Sequence, residues 1–289
     1  MSGPVNTLRT MDAASLLGSE ADLVLIEVEA ANGSTPRTAG TWMLAGLLDE
    51  TPCIARTIGG GQLEYLAIDE AIRSLASADG QKSVEIALGP EIGQCCGGRV
   101  SITLARVDED ARQELHEHLD HERAERPDVF VFGAGHVGRA LVECISLLPV
   151  RPVLVDSRSE TLELASDAAE KHLLAVPESL VATAKSGSAF VVLTHDHALD
   201  FIIAKEALNR SDAAYVGMVG SRTKRKSFEN WLRREGGSTD PKNLVCPIGG
   251  FGLDDKRPEV IAALTAAEIM LALGKANTAQ STENEAAHV

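Results

Sequence analysis

Two adjacent cysteines, Cys95 and Cys96, are the residues of this sequence whose types and spacing most directly suggest chemistry. They lie in the segment LGPEIGQCCGGRV (88–100) and are followed by two glycines and Arg99. The glycines remove bulk beside the thiols, and a neighbouring guanidinium lowers a thiol pKa, which favours a reactive thiolate. Adjacent cysteines without a C-x-x-C spacing do not complete a tetrahedral zinc site. The pattern predicts a soft thiolate for a soft metal or a sulfur-containing anion, and the alternative is a pair of small buried hydrophobes.

Two further segments of the first half carry polar groups without the periodicity of a helix or strand. In NGSTPRTAGTWML (32–44), Ser34 and Arg37 project a hydroxyl and a guanidinium from a turn stiffened by proline. Gly59-Gly60-Gly61 opens a predicted helix and forms a candidate nest of backbone donors for an anion. Glu64 falls in the first turn of that helix and is able to satisfy the same donors from within the chain. These residues are candidate anion ligands, with capping by Glu64 as the alternative for the glycines.

The second half contains the pattern G-x-G-x-x-G in GAGHVG, with Gly133, Gly135 and Gly138. It follows an apolar strand, opens a helix, and is followed by a second strand that ends at Asp156. This context is typical of a dinucleotide-binding turn, in which the helix N-terminus receives a phosphate and the acidic residue receives a ribose. Arg158 nearby favours a 2′-phosphate. The alternative is a domain of this type that binds no ligand.

Two other groups follow predicted strands. THDHALD places His195 and His197 at the carboxyl end of a strand, where open α/β sheets bind ligands. Lys224, Arg225 and Lys226 cluster after another strand and indicate either an anion site or an exposed helix face. A dehydrogenase needs a proton relay, for which His195 and His197 are candidates, but no accompanying serine, tyrosine and lysine set is present. No catalytic residue is therefore predicted.

The elements that position these residues differ between the two halves. The first mixes short strands, such as Asp22–Ala30 and Arg99–Val107, with glycine-rich loops. The second alternates nearly continuous apolar strands with helices, which predicts a doubly wound parallel sheet. A polar helix ending at Pro127 separates the halves. The predicted organisation is a mixed α/β domain over 1–107, a linker helix over 108–127, a Rossmann-like domain over 128–274 and a disordered tail over 275–289.

Composition limits the partners and the compartment. The 289 residues carry a formal net charge of −15, which argues against nucleic-acid binding and against docking on an anionic membrane. No apolar run approaches the roughly 20 residues that span a bilayer, and the N-terminus has no signal-peptide core. The odd number of cysteines, five, indicates reduced thiols. A cytoplasmic protein with protein or small-molecule partners is expected.

The motifs together resemble those of the xanthine dehydrogenase accessory proteins, the XdhC/CoxI family of molybdenum-cofactor chaperones. They occur in the family's order across nearly the whole chain: GSTPRTAG, TIGGGQLE, LGPEIGQCCGGRV, GAGHVGRAL, THDHALD and PIGGFG. The resemblance implies an N-terminal XdhC-type domain joined to a C-terminal Rossmann-like domain. One departure is that Phe251 stands where the family has proline in PIGLPG.

The resemblance also implies a function in purine catabolism. Family members are thought to bind molybdenum cofactor, hold it while a cysteine desulfurase replaces an oxo ligand by sulfido, and deliver it to xanthine dehydrogenase. The CoxI-like branch retains one cysteine immediately before the two glycines, which favours Cys96 over Cys95 as the thiol at the molybdenum end. Such a protein is a chaperone rather than a turnover enzyme, and docking on a dimeric client favours a homodimer.

Three alternatives remain open at this point. The cofactor phosphate fits either the Gly133–Gly138 turn or the Gly59–Gly61 nest. NAD(P) in the Rossmann-like domain is permitted as a structural or regulatory ligand, or as the cosubstrate of an oxidoreductase. The third alternative is a protein that binds no cofactor and only recruits the desulfurase or the dehydrogenase.

Overall fold

The computed structural model describes residues 8–33, 35, 37–77, 81–88, 98–236, 239–250, 253 and 255–286, the last ten by their backbone alone. Ser34, Cys95, Cys96 and Phe251 lie outside the described residues. The chain divides into two compact units, Met1–Ala124 and Glu125–Val289.

The first unit is built on a mixed sheet of six strands among its described residues, in the order β1-β4-β3-β2-β6-β5. Neighbouring strands run antiparallel except β1 and β4, which are parallel. In chain order the elements are β1 (Arg9–Thr10), α1 (Ala13–Leu17), β2 (Asp22–Asn32), β3 (Trp42–Leu48), β4 (Thr51–Arg56), α2 (Gly61–Leu75), β5 (Lys82–Ala87), β6 (Arg99–Arg106) and α3 (Glu109–Glu125).

The hairpin of β3 and β4 is an addition to the strands that the sequence indicated. Its turn is made by Asp49 and Glu50, both in the left-handed region with φ of 49° and 61°. Hairpin turns of this conformation are normally marked by Asn-Gly or Asp-Gly, because glycine tolerates positive φ. The missing marker hid two strands inside a stretch that resembled an irregular loop.

Both faces of this first sheet are covered. Helix α2 buries Leu63, Ala67 and Ala71 against one face, while α1 and α3 cover the other. Arg112 of α3 donates hydrogen bonds to backbone carbonyls at the end of α1, including Ala21 O at 2.9 Å. The polar helix predicted as a linker therefore packs as part of the first unit, through the apolar residues Ala111, Leu115 and Leu119.

The second unit contains an all-parallel sheet of six strands among its described residues, in the order β12-β11-β10-β7-β8-β9. Counted from β7, this is the order 3-2-1-4-5-6 of a dinucleotide-binding fold, which confirms the predicted doubly wound class. The elements are β7 (Asp128–Phe132), α4 (His136–Ser146), β8 (Arg151–Asp156), α5 (Ser159–Glu163), β9 (Glu170–Leu173), α6 (Ser179–Thr183), β10 (Ala189–Val192), α7 (His197–Leu208), β11 (Tyr215–Met218), α8 (Arg222–Glu235), a 3-10 helix (Pro241–Asn243), β12 (Leu244–Val245) and α9 (Pro258–Ala286).

Two apolar layers cover this sheet. Helices α4 and α9 pack on one face, and α7 and α8 pack on the other. Helix α9 continues to Ala286, where the sequence predicted an end at residue 274 and a disordered tail. Extending an existing helix is far easier than nucleating one, so a segment without an apolar period can continue it. Within the described residues, no helix combines the length and the apolar character needed to cross a bilayer.

Candidate functional site

The G-x-G-x-x-G turn joins β7 to α4 at the switch point of the parallel sheet. Gly133 has φ of 120°, and a Cβ there would lie 2.3 Å from the Leu193 carbonyl oxygen. A Cβ on Gly138 would lie 1.9 Å from the Gly133 carbonyl oxygen. A Cβ on Gly135 would meet no atom within 4 Å. The fold itself requires the first and third glycines, whereas the middle glycine leaves open space.

The N-terminus of α4 faces this open space without a side-chain cap. Gly135 is the N-cap residue, and no side chain bonds to the backbone N–H groups of the first turn. Arg139 in the same helix donates from Nη1 to the Ala134 carbonyl oxygen at 2.9 Å, which brings a cation to the turn. Free N–H groups and the positive end of the helix dipole give this position an intrinsic affinity for an anion.

Asp156 ends β8 and is bound to the glycine turn rather than open to solvent. Only 5% of the residue is exposed. Its carboxylate accepts hydrogen bonds from Ala134 N at 2.8 Å and from Nε and Nη2 of Arg158 at 3.1 and 3.2 Å. Burial opposes ionisation, but these hydrogen bonds outweigh it and hold the pKa of Asp156 below its usual value. Binding a ribose at Asp156 therefore requires the loss of one of these bonds.

The crevice between the carboxyl ends of β7, β8 and β10 is nearly closed. It is lined by Gly133, Asp156 and His195 among others and has a volume of about 10 Å³. That is room for about one water molecule, whereas small-molecule sites occupy about 300–1,000 Å³. The side chain of His195 is exposed and forms no hydrogen bond with any described residue. In this conformation the crevice is smaller than a site for a small organic ligand.

Beside the crevice lies a buried ion pair that sequence reasoning missed. Asp200 is 0% exposed, and its carboxylate accepts from Lys224 Nζ and from Thr194 N at 2.9 Å and Thr194 Oγ1 at 2.8 Å. Lys224 also donates to the Val219 carbonyl oxygen at 2.9 Å. The network ties α7 and α8 to the loop after β10, which carries His195. Opposite charges just after neighbouring parallel strands were the available signal.

The same contacts bear on the basic cluster after β11, for which the sequence indicated either an anion site or an exposed helix face. Lys224 is committed to Asp200, and Arg225 donates to the carbonyl oxygens of Leu244 at 2.6 Å and Pro241 at 3.3 Å. Lys226 is exposed. The first two cations hold the fold together, so the cluster forms neither an anion site nor a wholly exposed helix face.

In the first unit, the glycine nest at residues 59–61 is occupied by the protein's own carboxylate. Glu64 Oε2 accepts from Ile58 N at 3.2 Å and Gly60 N at 3.0 Å, and also from the Thr57 hydroxyl. Gly59, Gly60 and Gly61 all have positive φ, which suits such a turn. The alternative reading, capping by Glu64, is therefore what the structure contains.

The segment that holds Cys95 and Cys96 lies outside the described residues, but both of its flanks are visible. Leu88 N donates to Gly98 O at 2.8 Å, so the residues on either side of 89–97 are hydrogen-bonded neighbours. Arg99, the first residue of β6, pairs with Glu85 at 3.0 Å on the adjacent strand. Both of these side chains are 58% exposed. The charge of Arg99 is thus partly offset by a neighbouring carboxylate.

The other three cysteines are poor candidates for a reactive thiolate. Cys53 and Cys246 are buried, and burial raises the pKa of both thiols. Cys144 is half-buried, and burial together with the nearby Glu143 raises its pKa. Among the described residues, no group of three or more His, Cys, Asp or Glu side chains is arranged to hold a metal.

A polar pocket of about 500 Å³ lies between the loop before β3 and the end of β4. We call it the Arg37–Arg56 pocket. Its lining residues are Arg37, Thr38, Ala39, Gly40, Thr41, Trp42, Arg56 and Thr57. Sequence reasoning identified Arg37 but missed Arg56, which lies outside any motif.

Comparisons with known proteins relate the second unit to a known domain family. Residues 129–269 match the family model described as the XdhC Rossmann domain. YqeB of Escherichia coli strain K12 is 25% identical over 274 residues that cover 90% of this chain, and the match spans 45% of the length of YqeB. A crystal structure described as a xanthine dehydrogenase from Bacillus halodurans has a TM-score of 0.75 at 18% identity, covering 92% of this chain and 96% of that one. At that identity the likeness establishes the fold alone. The XdhC Rossmann domain that the motif series predicted for the second half is thereby confirmed over residues 129–269, within the second unit.

Proposed function

We propose that this protein is a cytoplasmic molybdenum-cofactor chaperone that serves xanthine dehydrogenase. In this role it binds the cofactor, holds it during sulfuration by a cysteine desulfurase, and delivers it to the dehydrogenase. The observation that carries the proposal is the XdhC Rossmann domain over residues 129–269. The likeness in fold to the Bacillus halodurans protein, which is described as a xanthine dehydrogenase, supports the link to that enzyme.

The residues present fit the chemistry of this cofactor. When bound, it supplies a soft metal–dithiolene end and an anionic phosphate end. The metal end calls for a soft thiolate, and burial disfavours the thiolate at Cys53, Cys144 and Cys246. Of the five cysteines, Cys95 and Cys96 remain. The resemblance to the CoxI-like branch, which retains the cysteine before the two glycines, favours Cys96 as the contact. The phosphate end calls for cations that are not already in ion pairs, or for backbone N–H groups that are not already hydrogen-bonded within the protein.

An oxidoreductase that uses NAD(P) is a weaker candidate. The narrow crevice of about 10 Å³ and the carboxylate of Asp156, which already accepts hydrogen bonds from the protein, give it less support. Binding of NAD(P) by the Rossmann domain stays a prediction.

Cofactor content tests the proposal directly. The full chain is co-expressed with a source of molybdenum cofactor, purified, and assayed for molybdenum and for the fluorescence of oxidised pterin. We expect near-stoichiometric cofactor in the wild type and a loss of at least tenfold in Cys96→Ala, because the thiol holds the metal end. Cys144→Ala removes a half-buried thiol elsewhere and serves as the matched control.

Two results would contradict the proposal. A wild type that carries no cofactor, under conditions that load an established chaperone, would remove the function. Equal cofactor in Cys96→Ala and Cys144→Ala would remove the assigned role of Cys96.

A further inference from the structure

In the Arg37–Arg56 pocket, Arg56 has an uncommon backbone conformation, and its side chain is held by two separate contacts. Arg56 ends β4 with φ of 64°, a left-handed conformation that is uncommon and strained for a residue with a side chain. Its guanidinium lies 4.0 Å from the ring centroid of Trp42, a cation–π contact. Nη1 also donates to both carboxylate oxygens of Glu122 at 3.2 Å. The packing and the ion pair together fix this cation at the pocket.

Arg56 nevertheless retains donors for a further partner. Glu122 engages only Nη1, and neither Nε nor Nη2 forms a hydrogen bond with a described residue. Two N–H groups of a planar fork are therefore available, the arrangement that binds an oxyanion with two parallel hydrogen bonds.

Arg37 supplies a second cation from the loop before β3. Its side chain is exposed, and its guanidinium forms no ion pair or hydrogen bond with the described part of the chain. The hydroxyls of Thr38 and Thr41 likewise have no partner there. Arginine N–H groups without a partner among the described residues are notable in a protein with a net charge of −15, where carboxylates outnumber cations.

The backbone holds this loop in place. Gly40 N donates to Val28 O at 2.8 Å, and Val28 N donates to Thr41 O at 2.8 Å. Thr41 N also donates to Thr38 O at 3.3 Å. The end of the loop is thus anchored to β2 at Gly40 and Thr41, which fixes the backbone on that side of the pocket.

We infer that the Arg37–Arg56 pocket binds the phosphomonoester group of a small organic molecule. Two guanidinium groups and two hydroxyls match the charge and the acceptor atoms of a phosphomonoester. A volume of about 500 Å³ exceeds what a phosphate alone needs and lies within the range of sites for organic ligands. This inference rests on the proposed function for the identity of the molecule, which is then the molybdenum cofactor held by its terminal phosphate.

The two other candidate positions for the phosphate are weaker. Glu64 already occupies the Gly59–Gly61 nest. The N-terminus of α4 offers backbone donors and a partial charge, but the arginine nearest to it, Arg139, is bonded to Ala134 O. The Arg37–Arg56 pocket offers two guanidinium groups: Arg37 has no ion pair among the described residues, and Arg56 keeps Nε and Nη2 beside its pair with Glu122.

Arg37→Gln is the principal test, because its exposed side chain contacts nothing that the fold needs. We expect it to lower cofactor content and the affinity for a pterin phosphomonoester by about tenfold to hundredfold, the size of a lost charge-assisted hydrogen-bond pair. Arg56→Lys keeps the charge but loses the fork and is expected to weaken binding as well. Arg106→Gln removes another exposed arginine, paired with Asp22 elsewhere on the sheet, and should bind as the wild type does. Thermal unfolding of each variant reports whether it is folded.

The outcomes separate this site from the function. If the wild type is loaded and Arg37→Gln and Arg56→Lys are loaded equally, the pocket is excluded while the chaperone function stands. Loss of cofactor in Gly135→Asp but not in Arg37→Gln would move the phosphate to α4 and overturn the inference. If the wild type takes no cofactor but inorganic phosphate raises its Tm, and Arg37→Gln abolishes that rise, the site stands and the proposed function fails.

Discussion

At the scale of single residues, Asp156 occupies the position of the acidic residue in a nucleotide-binding turn. In such a turn the carboxylate is kept for a ribose hydroxyl. Here it accepts from Ala134 N and from the Arg158 side chain, so it joins the glycine turn to the end of β8. Asp156, which was predicted from its position in the motif, thus stabilises the glycine turn of that motif.

Asp156→Asn tests this structural role through its dependence on pH. The hydrogen bonds lower the pKa of Asp156 from its ordinary 3.8, so the ionised group stabilises the folded state above that value and loses this effect as pH falls through the folded pKa. We expect the variant to lose about 2 kcal/mol of unfolding free energy at pH 7, because a charged acceptor is replaced by a neutral amide. Urea unfolding at pH 7 and at pH 3 measures this loss. A deficit that does not shrink at the lower pH would contradict the assignment.

At the scale of elements, the three glycines of the β7–α4 turn differ in the space around them. Gly133 and Gly138 have no room for a Cβ, whereas Gly135 has. Gly138→Ala places a methyl group 1.9 Å from Gly133 O, so we expect a loss of about 3 kcal/mol or a failure to fold. Gly135→Ala meets no atom within 4 Å, and φ of −69° suits alanine, so its stability should equal or slightly exceed that of the wild type. Thermal unfolding compares the two variants. A strongly destabilised Gly135→Ala would show that the middle glycine too is required by the fold.

The accuracy of the sequence predictions also varies by element. The parallel sheet of the second unit was predictable, because apolar strands alternating with helices leave few other folds. The β3–β4 hairpin was hidden, because Asp49 and Glu50 adopt positive φ without the glycine that marks such turns. Helix α3 was assigned to a linker, since its three partly buried apolar residues are dispersed among charged residues.

The candidate sites follow the same rule. Capping of the Gly59–Gly61 nest by Glu64 was predictable as an alternative, because both partners lie within one turn of chain. The Asp200–Lys224 pair and the approach of Arg56 to Arg37 were not, because strands that are distant in sequence bring those side chains together. Local motifs locate loops and turns, whereas the distribution of free and neutralised charges depends on the tertiary fold.

At the scale of the whole molecule, each unit has its own apolar core and its own kind of polar site. The first unit packs α2 on one face of its sheet and α1 with α3 on the other, and it contains the Arg37–Arg56 pocket and the cysteine-bearing segment. The second unit packs its parallel sheet between two further layers, and its switch-point crevice is nearly closed. The match to the XdhC Rossmann domain therefore lies in the second unit, whereas the proposed cofactor contacts lie in the first.

This division predicts how residues 125–289 behave when they are produced alone. Because the sheet and both of its covering layers lie within that segment, we expect one cooperative unfolding transition and a parallel α/β circular-dichroism signature. Because the proposed cofactor contacts are in the first unit, we also expect no molybdenum or pterin after co-expression with a cofactor source, while the full chain is loaded in parallel. A folded fragment that carries cofactor at the level of the full chain would place the binding site at the Gly133–Gly138 turn. The same result would show that the Rossmann domain itself holds the cofactor, with the closed crevice opening to admit it.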